Sequence, residues 1–195
     1  MTALAATPSQ TVGPFFLDCL LRADARRTVL LRAGTPGDRV RIAGRVLDGD
    51  GAGVPDAMIE IWQADAAGRY RQLERDQTAD AFVGFGRCAT DAFGSFGFET
   101  LRPGRVAFDA TRRQAAHINV AVFARGLLNH LFTRIYFADD PNHETDPVLA
   151  LVPAARRTTL IAQREASAAR YRFDVVLQGD GETVFFDFVR PRAAR

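Results

Sequence analysis

The chain has 195 residues, 47% of them hydrophobic, which suits one buried core and lies far from the composition of a disordered or fibrous protein. Its 25 basic residues, every one an arginine, nearly cancel 23 acidic ones, and the net charge of +2 excludes the strongly basic footprint of a nucleic-acid binder. No apolar run reaches the roughly 18 residues of a membrane span, and the N-terminus has no basic, apolar leader; the expectation is a soluble, cytoplasmic protein without a membrane or nucleic-acid partner.

Residues 1–38 read as an N-terminal arm, extended through Thr7-Pro8-Ser9-Gln10-Thr11-Val12-Gly13-Pro14-Phe15-Phe16. Pro8 and Pro14 argue against a helix there, and Phe15, Phe16 and Leu17 need cover from this chain or from a partner. From Arg39 the pattern alternates with period two through Val40, Ile42 and Val46 until Asp48-Gly49-Asp50-Gly51 breaks it, which describes a strand and a turn. Ala57 to Gln63 is the next strand. Others are expected over Arg87–Asp91, Ser95–Thr100, His117–Phe123, Leu131–Phe137, Tyr171–Leu177 and Thr183–Phe188, with a helix between Ala154 and Glu165 and a frayed tail from Arg190. Short strands divided by Gly-, Pro- and Asp-rich turns predict an all-β fold, an antiparallel β-sandwich over residues 39–195 with one or two short helices.

Cys19 and Cys88 are too few and too far apart for a disulfide framework or a zinc site, and reduced, buried thiols are expected. The glycines of Gly84-Phe85-Gly86 and Gly94-Ser95-Phe96-Gly97 precede no helix and read as turns rather than a phosphate loop. No nucleophile elbow is present. In the strand Ala116-His117-Ile118-Asn119-Val120, His117 and Asn119 share one face. A second histidine there would make a metal pair, but the asparagine amide is a neutral, weak ligand. Alone, His117 is a satisfied structural histidine or one ligand of a site with His130 and His143, and Arg125, just past this strand, is a solvated side chain or a partner for a carboxylate.

Several stretches taken together resemble the intradiol ring-cleavage dioxygenases: Thr7 to Phe15, Ile59-Glu60-Ile61-Trp62-Gln63-Ala64-Asp65 with Gly68-Arg69-Tyr70, Gly86 to Asp91, Ala116 to Asn119, Thr133 to Phe137 and Tyr171 to Asp174. The His-Ile-Asn triplet and the ending Gly181 to Phe188 are similar to the α-type chains of that family. The resemblance implies a ferric ion held by two tyrosinates and two histidines, with His117 at the first histidine position and Asn119 in place of the second. It also implies that Tyr70 falls on a non-ligand position, that no tyrosine stands between Tyr70 and Tyr136 to serve, and that Gln114 replaces an arginine. His117 and Asn119 are then vestigial metal positions, and this chain has no catalytic residue and binds no metal.

What remains by the same resemblance is a subunit that completes the pocket of a homologous β subunit carrying Fe(III). Thr11, Gly13 and Pro14 would wall the substrate cavity, and Arg125 would offset the ring carboxylate. The implied reaction is cleavage of protocatechuate by O2 to 3-carboxy-cis,cis-muconate, a step of aromatic catabolism in the β-ketoadipate pathway. The alternatives are a catalytically silent β-sandwich that serves binding or assembly, and a hydrolase with metal on His117, His130 and His143.

Overall fold

The computed structural model describes residues 7–71, 82–166 and 169–187. The expected end of the last strand at Phe188, the frayed tail from Arg190 and the first six residues lie outside them. A helix α1, Pro14–Leu20, is followed by nine strands: β1 Arg39–Leu47, β2 Met58–Gln63, β3 Phe85–Ala89, β4 Ser95–Leu101, β5 His117–Phe123, β6 Leu131–Phe137, β7 Ile161–Arg164, β8 Arg170–Arg172 and β9 Val175–Val176. None of the described helices is long and apolar enough to cross a membrane.

The strands run in the order β3-β2-β5-β6-β7-β8-β1-β4, with β9 beside β1. Most neighbours are antiparallel, but β6 with β7, and β1 with both β8 and β9, are parallel, so the sandwich is mixed where alternation alone suggested a purely antiparallel one. The alternation otherwise does what it predicts. Val40, Ile42 and Val46 of β1, Ile59 and Ile61 of β2, Phe96 and Phe98 of β4, and Ile118, Val120 and Val122 of β5 meet in one buried core. On the opposite face Glu60 of β2 stands across from Arg87 of β3 and pairs with it at 2.5 Å. Gln63 ends β2 pointing inward, where its amide donates to the Leu101 carbonyl at 3.0 Å and accepts from the Thr100 hydroxyl at 2.8 Å. That bond ties β2 to β4, and a buried amide so satisfied specifies one relative placement.

Other expectations change as well. Pro14 opens α1 rather than forbidding it, because a proline in the first turn gives up no helical hydrogen bond. The helix expected at Ala154–Glu165 is a 3-10 segment, Ala154–Leu160, that runs into β7; Ile161 and Ala162 pair with Tyr136 and Phe137, an alternation too short to read. The strand expected at Tyr171–Leu177 is two, since the chain passes close over β1 between them: a Cβ on Gly44 would sit 1.7 Å from the Phe173 carbonyl oxygen. Thr183–Phe188 forms no strand within its described part, only a bridge from Phe186 to Phe132.

Residues after α1 pack on the body. Arg27 bridges Arg87, Val29 bridges Glu99, and Leu30 joins the core. Both thiols are free, but Cys19 on α1 is exposed, against expectation, while Cys88 is buried, which pushes its pKa up to about 12.

Candidate functional site

Strand β5 carries one candidate region at each end. At its start His117 is buried, with Tyr136 of β6 opposite it in register. Its Nδ1 lies 2.8 Å from the Ala115 carbonyl, which can only accept, so the ring proton sits there and Nε2 is the acceptor. The Tyr70 hydroxyl donates to that Nε2 at 3.4 Å and accepts from the Asn119 amide at 2.9 Å. Asn119 also donates to the Trp62 carbonyl at 3.3 Å, and Trp62 stacks on Tyr70 with ring centroids 6.1 Å apart. Burial, followed by the nearby Arg134 cation, lowers the His117 pKa to about 4; burial raises that of Tyr70. Imidazole and phenol are therefore both neutral near pH 7.

The geometry corrects the placing of Tyr70. Its phenol stands at the His117 and Asn119 pair, not apart from the ligand positions. Sequence reading also passed over the frame that holds this end of the strand. Asp146, buried, accepts from the backbone N–H groups of Ala115, Val148 and Leu149 at 2.7–2.8 Å and from the Tyr136 hydroxyl at 3.3 Å. Asp140 accepts from Ala116 N–H at 2.9 Å. Gln114, where the resemblance places an arginine in the family's catalytic chain, accepts from Arg134 at 2.8 Å. Asp140 and Asp146 lie in a loop without periodicity, and a carboxylate whose value is to accept backbone N–H groups leaves no mark in sequence.

Beyond the other end of β5, Arg125 is 71% exposed, and its Nε lies 2.9 Å from Asp56 Oδ2. The next residue, Gly126, donates its N–H to the Thr11 hydroxyl at 2.8 Å. The structure thus brings two of the predicted residues, Thr11 on the arm and Arg125 on the turn, to one place. Gly13 is exposed, and a Cβ there would meet nothing within 4 Å. Pro14 follows as the first residue of α1. An open groove of about 400 Å³ runs between arm and turn, lined by Val12, Phe16, Phe123, Leu127, Leu128 and His130 among others. His130 stacks on Phe123 here, with centroids 5.2 Å apart, at the far end of β5 from His117; His143 sits in a 3-10 turn edge-on to Tyr136. A three-histidine site does not assemble, and no group of three His, Cys, Asp or Glu suited to a metal occurs among the described residues.

Strand β5 of the β-sandwich thus has one end closed on itself, where a histidine faces a phenol, and the other open beside an arm. The chain belongs to the dioxygenase family, within the intradiol ring-cleavage group: the family model described as Dioxygenase matches residues 12–179. It is 47% identical to the protocatechuate 3,4-dioxygenase alpha chain of Burkholderia cepacia, over 96% of this chain and 100% of that one. It is 36% identical to the beta chain from the same organism, over 78% of this chain and 70% of that one. Among solved structures, the dioxygenase domain of a carbohydrate-binding fusion from Streptomyces sp. SirexAA-E superposes with a TM-score of 0.61 at 29% identity, covering 90% of this chain and 99% of that one.

The family implies non-haem iron, and the donors around His117 do not fit it. One imidazole, one protonated phenol and one neutral amide are each engaged with another, whereas ferric iron favours several imidazole and anionic oxygen donors.

Proposed function

We propose that this chain is the α-type subunit of a protocatechuate 3,4-dioxygenase, acting with a homologous β-type chain that holds Fe(III), in the cytoplasm. The pair opens the ring of protocatechuate between its two hydroxylated carbons, adding both atoms of O2 to give 3-carboxy-cis,cis-muconate. The arm within residues 1–38 covers the β-type chain's pocket, and residues 39–195 form the sandwich that carries it. Thr11, Gly13 and Pro14 wall the cavity, and Arg125 offsets the substrate carboxylate. A shielded, charge-assisted bond of that kind is worth about 1.5–3 kcal/mol.

The observation that carries this reading is the hydrogen bond from Gly126 to Thr11, which sets the arm beside Arg125 while both stay open to the outside. The likeness to separate alpha and beta chains supports a two-chain enzyme. The arm excludes water from a reacting centre, which suits a segment braced by Pro8 and Pro14. The test is protocatechuate-dependent oxygen uptake by the chain purified alone and by the chain co-purified with a β-type homologue. Activity in the pair only is expected. Activity alone would overturn the assignment of iron to the partner, and activity in neither would favour a silent binding or assembly module.

A further inference from the structure

Asp56 is the one non-glycine residue among those described with a left-handed backbone, φ 54°. It stands in the turn Val54-Pro55-Asp56-Ala57 ahead of β2. Such conformations are sparsely populated outside glycine, and aspartate enters them more readily than most residues, here just after Pro55. The contact that Asp56 makes is an ion pair with Arg125, and because an exposed ion pair adds little stability, its geometry matters more than its energy. Oδ2 lies 2.9 Å from Nε and Oδ1 3.5 Å from Nη2, so the carboxylate takes the side edge of the guanidinium and leaves the end edge, between Nη1 and Nη2, directed away from it. The backbone one residue on is fixed independently through Gly126 N–H to Thr11 Oγ1.

We infer that Asp56 is a positioning residue, which presents the end edge of Arg125 to the carboxylate of an aromatic acid and so sets the preference for carboxylated over plain catechols. The inference rests on the reading of Arg125 given under Proposed function. The experiment measures kcat/KM for protocatechuate and for catechol in the co-purified pair carrying Asp56→Asn, Arg125→Ala or both. Asparagine tolerates the same backbone and keeps the size of the side chain while removing its charge. Selectivity for protocatechuate is expected to fall about fivefold in Asp56→Asn, the most that an exposed ion pair is worth, and the double variant should be no less selective than Arg125→Ala. Lower selectivity in Arg125→Ala with unchanged or higher selectivity in Asp56→Asn, or additive losses in the double variant, would overturn the role of Asp56 and leave that of Arg125 intact. Unchanged selectivity in Arg125→Ala would overturn both.

Discussion

The two ends of β5 have settled into opposite states. At the start, the ring of His117, the Tyr70 phenol and the Asn119 amide satisfy one another, and two carboxylates grip the backbone beneath them. Beyond the end, Arg125, Thr11 and Gly13 are exposed, and apolar side chains such as Leu128, 62% exposed, line the groove beside them. The first region has the features of a part that holds the chain together, the second those of a surface waiting for something to cover it. The frame around His117 therefore also supports the fold.

The contrast predicts that substitutions at the closed end change stability and those at the open end change activity of the pair. Asp146→Ala should act most strongly, since it leaves three backbone donors and the Tyr136 hydroxyl without their acceptor; a loss of about 3 kcal/mol or more is expected in chemical denaturation of the chain. Acid is the next probe. The folded-state pKa of His117, about 4, lies below its ordinary 6.5, so the unfolded chain takes up the proton first. The His117 contribution to stability should fall as pH drops from 6.5 towards 4, by up to about 3 kcal/mol, and level off below. It should be absent from His117→Gln and so appear as a pH-dependent difference between the parent and that variant. A parent and variant with parallel pH profiles would mean that His117 is not buried as described.

At the open end, Arg125→Ala should lower kcat/KM for protocatechuate relative to catechol about tenfold or more in the pair. Its effect on the denaturation midpoint should be small, because the residue is exposed. Gly13→Ala is the mildest change. The added methyl meets open space within this chain, so stability should move by no more than about 0.5 kcal/mol. Against a partner's pocket the same methyl would crowd, and turnover in the pair should drop about fivefold. Unaltered turnover would remove Gly13 from the cavity wall.

The sandwich was legible because half-buried strands write period two into the chain, and β1, β2, β4, β5 and β6 all do so over six to nine residues. The four residues of β7 were not, since they are a strand by virtue of their neighbours rather than of any pattern of their own, and β8 and β9 were legible only as one run. The pair His117 and Asn119 could be found from spacing and residue type. Tyr70 could not, because its approach to that pair depends on the turn after Asp65, where the side chain of Asp65 accepts from the backbone of Ala67 and Arg69. The partner of Arg125 was equally hidden, 69 residues away at Asp56.

The parallel pairing of β1 with β8 and β9 sets the order of events during synthesis. β1 ends at Leu47, but the segments that pair with it begin at Arg170. A nascent chain therefore carries one edge of β1 uncovered through more than a hundred further residues, and loop closure over that span makes the step slow. That edge of β1 is covered only once the chain has been made through Val176.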